Sequence, residues 1–259
     1  MCTLIALHRC FSGVPLVVAA NRDEFLERPA ERPALRDTPY GAIVAPLDRR
    51  AGGTWLGVNG AGVFAAITNR RCPSPDPRRR SRGLLVVDAL GAPSAEEAVR
   101  RLEGNVAGAY NPFNLFVADR RAAFALSCAE TVRVMELRPG IHVIGNLDLE
   151  GPTPPSLERL RDQAGEVADG PAERALAELA QICRGHDGAP LDAICVHAGD
   201  YGTRSSTLVQ LADSQIGSAL RHAEGAPCRT EYRDFTPLLR DLGRVSGSVE
   251  GSSLARKAS

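Results

Sequence analysis

The chain has 259 residues, 44% of them hydrophobic and 24% charged, which is the composition of a globular domain and excludes a disordered or membrane-embedded chain. Lys and Arg together number 31, as do Asp and Glu, so the formal charge is zero and strong general attraction to nucleic acid or anionic lipid is excluded. Lys257 is the only lysine, so nearly every cation is a guanidinium.

The opening reads as a hairpin: a strand over 3–8, a turn at Ser12-Gly13-Val14-Pro15 and a buried return strand over 16–20. The polar, proline-punctuated stretch 21–39 is too irregular for a long helix. Strands over 54–58 and 63–68 flank Asn59-Gly60, a pair that favours a tight hairpin turn. The proline- and arginine-rich residues 72–82 read as an exposed loop. Helices follow over 84–90 and 94–102, the second with Ser94 as cap and Glu97 three residues on. Strands over 114–117, 122–127, 131–137 and 142–144 form a meander, and helices cover 156–168 and 171–183. The last strands are predicted over 193–197, 206–211, 216–220 and 231–235. The serine-, glycine- and alanine-rich tail from 245 is expected to be disordered, which leaves a single domain over 1–244. Strands at both ends with helix pairs between them favour an α+β fold of stacked antiparallel sheets over alternating βαβ units.

Residues 15–20 are apolar and end in small side chains, but the run is too short for a secretory leader and follows His8, Arg9, Ser12 and Gly13. No stretch approaches the ~18 apolar residues of a membrane span. A cytoplasmic protein without an integral membrane segment is expected. The seven cysteines (Cys2, Cys10, Cys72, Cys128, Cys183, Cys195 and Cys228) form an odd set without C-x-x-C spacing or adjacent histidine pairs. Neither a zinc site nor a disulfide framework is expected from them, and five read as small buried hydrophobes.

Cys2 differs from the other six by position. Removal of Met1 would give one residue a thiol and a free α-amine, with reference pKa values of about 8.5 and about 8. A nucleophile whose own amine serves as base is a known catalytic arrangement. In a hairpin turning near Ser12-Gly13, Cys2 lies opposite residues 21–23, where a buried strand ends in Asn21-Arg22-Asp23-Glu24. A carboxylate there can hold the ammonium, and a guanidinium can stabilise thiolate.

Met1-Cys2-Thr3, Asn21-Arg22-Asp23-Glu24, Gly52-Gly53-Thr54-Trp55-Leu56-Gly57, Thr68-Asn69, Ser81-Arg82-Gly83, Asn114-Leu115 and Tyr201-Gly202-Thr203-Arg204-Ser205-Ser206-Thr207 together resemble the NRDE family, which includes the transport and Golgi organisation 2 proteins. That family is similar in turn to cysteine-type N-terminal-nucleophile hydrolases such as bile salt hydrolases and penicillin V acylases. The resemblance implies a four-layer αββα sandwich. It implies Cys2 as nucleophile, Asp23 orienting the α-amine, Asn146 as oxyanion donor and Arg204 near the nucleophile, with Asn69 a weaker match to an active-site asparagine. Asn21, Trp55 and Tyr201 are then expected to bind substrate. The hydrolases carry arginine, asparagine, any residue and aspartate where this chain reads Ala20-Asn21-Arg22-Asp23, so the first arginine is absent, and Arg22 is expected on the opposite strand face from Ala20.

Two functions follow. One is an amidohydrolase cleaving a linear, non-peptide C–N bond of a small acyl amide without a cofactor. The other, implied by the family's eukaryotic members, is a non-catalytic carrier of haem or an acyl lipid, with His8, His142 and His197 as conceivable haem ligands. Arg78, Arg79, Arg80 and Arg82 read as a solvated basic loop.

Overall fold

A computed structural model describes residues 2–104, 106, 108–188 and 191–255. The elements run β1 (Thr3–Phe11), β2 (Val14–Phe25), β3 (Ala30–Thr38), β4 (Gly41–Asp48), β5 (Leu56–Asn59), β6 (Phe64–Asn69), α1 (Arg82–Leu90), α2 (Ala95–Glu103), β7 (Phe113–Ala118) and β8 (Ala123–Cys128). They continue with β9 (Val132–Leu137), β10 (Gly140–Ile144), α3 (Pro155–Ala168), α4 (Ala172–Cys183), β11 (His197–Ala198), β12 (Tyr201–Leu211), β13 (Ala219–Ala223), β14 (Arg233–Asp234) and α5 (Thr236–Ala255).

The strands form two antiparallel sheets. One has the order β10-β1-β2-β12-β13-β14 with β11 joined to β12, and the other runs β3 to β9 in sequence order. Helices α1 and α2 cover the second sheet, and α3 and α4 cover the first. The result is the four-layer αββα sandwich, with a hydrophobic core between each pair of layers.

The period of two in β1 and β2 explains their unbroken apolar runs. Leu4, Ala6, Leu16, Val18 and Ala20 enter the core between the sheets, whereas Ile5, Leu7, Val17 and Ala19 face α3 and α4. A strand buried on both faces has no polar side to show. Ser94 caps α2 by accepting the Glu97 N–H at 3.2 Å, and Glu96 and Glu97 at its start oppose Arg100 and Arg101 at its end, in keeping with the helix dipole.

Three regions depart from the sequence reading. The proline-punctuated stretch continues β2 to Phe25 and then forms β3, which pairs with β4. Its prolines are tolerated because β3 is an edge strand and its register shifts between Glu31 and Ala34, around Pro33. Second, the strand predicted over 193–197 is reduced to the two-residue β11. Third, the strand predicted over 231–235 is reduced to the two-residue β14. The chain then continues as α5 through Ala255. Residues 256–259 lie outside the described residues. Leu239 and Leu242 of this helix enter the core between the sheets. No helix among the described residues is long and apolar enough to cross a membrane.

Candidate active site

Cys2 stands one residue before β1, and β1 lies between β2 and β10. Thr3 pairs with Asn21 on one side, and Leu4 pairs with Ile144 on the other. Continuing both registers by the antiparallel rule sets Arg22 and Asn146 on either side of Cys2. The Cys2 thiol donates to the Asp23 carbonyl at 3.5 Å.

Alternation along β2 then divides the tetrapeptide between two faces. Asn21 and Asp23 turn away from the other sheet. Asn21 donates to the carbonyls of Cys183 and Ile194, each at 2.9 Å, so it ties the end of α4 to the sheet, while its buried Oδ1 has no hydrogen-bond partner. Asp23 is buried, and its Oδ1 accepts from the Thr203 hydroxyl at 2.6 Å. Burial pushes the Asp23 carboxyl up to about 6, against the opposing effect of the Thr203 bond.

Arg22 shares its face with Ala20, contrary to the sequence expectation, because residues two apart on a strand point the same way. Its guanidinium stacks on Trp55 at 4.3 Å from the ring centroid and meets Asp48 Oδ2 at 3.4 Å, while its buried Nη1 has no hydrogen-bond partner. Glu24 turns to Arg28 at 3.3 Å, and Arg28 also reaches Asp48, at 2.8 Å. The arginine missing at position 20 thus has a counterpart two residues on, on the same face as the thiol.

The remaining motifs hold this frame together. A Cβ on Gly53 would lie 2.3 Å from the Gly83 carbonyl carbon, so only glycine allows the contact in which Thr54 N–H donates to Gly83 O at 3.1 Å. That contact sets Arg82 beside Trp55 in one cavity. Thr68 Oγ1 and Asn114 Nδ2 both donate to Gly145 O, at 2.6 and 3.1 Å, and Asn114 also donates to Leu147 O. Arg71 N–H donates to Asn146 O at 2.9 Å. The Asn146 backbone is therefore gripped from three sides. Its side chain is buried, with Nδ2 donating to Asn69 O and Oδ1 unpartnered. Gly202 is needed because a Cβ there would lie 2.6 Å from Val196 O. This approach lets Thr203 N–H reach Val196 O and Val196 N–H reach Thr203 Oγ1.

The cavity has a volume of about 510 Å³ and is lined by Cys2, Arg22, Trp55, Asn69 and Arg82, among others. Its wall carries six arginines (Arg22, Arg28, Arg50, Arg79, Arg80, Arg82) against four carboxylates (Asp23, Glu24, Asp48, Asp76). Arg79, Arg80 and Arg82, read from sequence as a solvated loop, belong to this wall; burial lowers the pKa of Arg82, whereas the nearby Cys2 raises it. The signal that could have found Arg82 was its place inside Ser81-Arg82-Gly83.

Burial, followed by the Asp23 charge, pushes the Cys2 thiol up to about 11, and Arg22 pulls it back down. Tyr201 donates to the Asp23 carbonyl at 3.4 Å, and burial with the Cys2 and Asp23 charges raises its phenol. Arg204 falls where the pairing of β12 with β2 shifts register, between Thr203 and Ser205. It does not line the Cys2 cavity; its charge acts on His222, on β13.

The αββα sandwich is the fold of the N-terminal-nucleophile hydrolases, and here the register of β1 leads from Cys2 to Arg22 on β2 and, past the end of β10, to Asn146. The solved structures agree. A Caenorhabditis elegans N-acylethanolamine-hydrolyzing acid amidase ortholog matches with a TM-score of 0.54 at 12% identity, covering 80% of this chain and 92% of that one. Penicillin V acylase from Agrobacterium tumefaciens matches at 0.51 and 15%, covering 88% and 93%. The chain belongs to the Transport and Golgi organisation 2 family, whose profile matches residues 1–220. It is 28% identical over 249 residues to the Bos taurus Transport and Golgi organization protein 2 homolog, covering 83% of this chain and 90% of the relative. The Homo sapiens homolog is 29% identical over 235 residues, covering 78% and 84%.

Proposed function

We propose that this protein is an amidohydrolase that uses Cys2, freed by removal of Met1, to cleave a linear, non-peptide C–N bond of a small acyl amide. The observation that supports this reading is the register of β1, in which Thr3 pairs with Asn21 and Leu4 with Ile144, so that the residues next in line with Cys2 are Arg22, with its unpartnered buried Nη1, and Asn146. In the proposed reaction the Asp23 carboxylate orients the α-amine. The free amine takes the thiol proton, and the thiolate attacks the carbonyl carbon. Asn146 Nδ2 and a backbone N–H hold the oxyanion, and the ammonium protonates the leaving nitrogen. Water then releases the acyl group from the thioester. Arg22 supplies the positive charge that favours thiolate over the buried thiol. The excess of guanidinium over carboxylate in the wall suits an acyl amide that bears an anionic group.

Similar proteins named as amidases and acylases support the reaction class. The carrier alternative would use the same cavity. Histidine ligation of haem does not fit it, because the three candidate histidines point elsewhere. Nε2 of His8 meets Asp119 O, Nε2 of His142 meets Arg138 O, and His197 faces Cys195 and Cys228. The test is intact mass of the purified chain before and after an acyl-directed thiol probe, with Cys2→Ala alongside. Loss of the Met1 mass and one adduct confined to Cys2 support the reading. Retention of Met1, or full turnover by Cys2→Ala, overturns it.

A further inference from the structure

Away from Cys2, three loops of the first sheet converge on a second sulfur site. His186 follows α4, Cys195 and His197 lead into and begin β11, and Cys228 lies in the turn between β13 and β14. Their donor atoms all lie within 4.8 Å of one another. Cys195 Sγ is 3.6 Å from Cys228 Sγ and 3.8 Å from His197 Nε2, and Cys228 Sγ is 3.2 Å from His197 Nε2. With Zn–S near 2.3 Å and Zn–N near 2.0 Å, the edges of a tetrahedral site span roughly 3.3–3.8 Å, so these three donors already stand at about ligand spacing. The longer separations involve only His186, whose ring is exposed.

The surroundings are those of a ligand set. His186 Nδ1 lies 3.1 Å from Cys195 O, which leaves Nε2 as its free ligand atom and supplies the outer hydrogen bond that fixes the tautomer of a metal-bound imidazole. Cys195 is buried while both histidines are exposed, which gives a metal a path from solvent. The cysteines are not disulfide-bonded. Sequence spacing does not reveal this cluster, because its residues come one or two at a time from separate loops and no C-x-x-C pair marks them.

We propose that His186, Cys195, His197 and Cys228 form a closed, four-coordinate structural zinc site. Two thiolates and two neutral imidazoles balance the charge of the dication, and both thiol protons leave to solvent when it binds. Four protein ligands leave no open position for substrate, so the role is to pin three loops together. The site also borders the Cys2 frame, since Val196 exchanges hydrogen bonds with Thr203, which holds Asp23. The assignment does not depend on the proposed hydrolysis.

The test is elemental analysis of the full-length chain purified without chelator, followed by exchange of the bound metal for cobalt(II). The expected result is about one zinc per chain and, with cobalt, the visible bands of a tetrahedral centre with thiolate-to-metal charge transfer. Cys195→Ser with Cys228→Ser should bring zinc to background and abolish the cobalt spectrum. His197→Ala, which removes an exposed ligand without touching the core, should weaken zinc retention and alter the cobalt bands while circular dichroism stays native. Three outcomes overturn the assignment: a folded wild-type chain that binds neither metal, zinc retained by the double variant, or a Cys195–Cys228 disulfide in peptide mapping.

Discussion

The chain holds two sulfur-bearing sites on the same sheet, and their contrast shows how surroundings assign a role to a thiol. Cys2 is a single thiol next in line with Arg22 on β2, hydrogen-bonded to the Asp23 carbonyl and with a cavity in front of it. Its buried neighbours include unfilled polar atoms, Arg22 Nη1 and Asn146 Oδ1, that a bound substrate could meet. Cys195 and Cys228 have each other and two imidazoles, so their surroundings already supply a complete coordination shell. A nucleophile needs an open approach and nearby positive charge, whereas a structural metal ligand needs closure.

The largest effect that tests this contrast is at Cys2 itself. Cys2→Ala should remove turnover and the acyl-enzyme adduct completely, whereas Cys228→Ser should leave adduct stoichiometry unchanged by intact mass. Next comes Asn146→Ala, expected to lower kcat by about 10²–10³ through loss of one oxyanion donor, with Met1 processing intact. Arg22→Met retains bulk against Trp55 but removes the charge that pulls the Cys2 pKa down. The pH midpoint for alkylation of Cys2 should move up by about 1 or more. An unmoved midpoint would show that Arg22 does not substitute for the arginine absent from position 20.

Asp23 offers a test through stability. Its folded pKa is about 6 against a reference of 3.8, so the native state binds more protons than the unfolded chain between those values. The contribution of Asp23 to stability therefore falls as pH rises from about 4 to about 6 and is level above. His222, pushed down to about 4 by burial and the Arg204 charge, has the opposite slope, because below about 6.5 the unfolded imidazole takes a proton that the folded one refuses. Subtracting the Asp23→Asn denaturation curve from wild type removes the His222 component. The asparagine variant should gain relative stability as pH rises through that window. Parallel curves for the two proteins would mean that the Asp23 pKa is not raised.

How much of this could be read from the sequence depended on whether the determining contacts were local. The β1–β2 hairpin was legible because its turn and both apolar runs are adjacent in sequence, and its register already placed Cys2 against residues 21–23. The α2 cap was legible for the same reason, since Ser94 and Glu97 are three residues apart. The strand β3 was hidden by prolines, whose tolerance comes from an edge position that only the finished sheet defines. Arg82 was hidden because its place depends on the Gly53–Gly83 backbone contact across 30 residues of chain. The hydrogen bonds of Asn21 were hidden because alternation sends it toward α4, and the carbonyls it meets are 162 and 173 residues away. The four metal-ligand candidates are scattered over three loops, so no local spacing could report them.

The two sulfur sites are separated by one threonine, and the smallest effect tests whether they are independent. Thr203 Oγ1 accepts from Val196 N–H at 2.8 Å and donates to Asp23 Oδ1 at 2.6 Å. Thr203→Val leaves both partners short of a bond, at a cost of about 1–3 kcal/mol. Thr203→Ser should recover most of that. Val196 remains anchored in either variant, because its carbonyl still accepts from the residue 203 N–H, and Cys195 N–H still donates to Gly185 O. The cobalt spectrum of Thr203→Val should therefore match wild type, while labelling of Cys2 speeds up, since Asp23 loses the donor that favours its charged form and that charge is what pushes the Cys2 thiol up. A shift in the cobalt bands would show instead that the metal loops and the nucleophile form one unit joined through Val196.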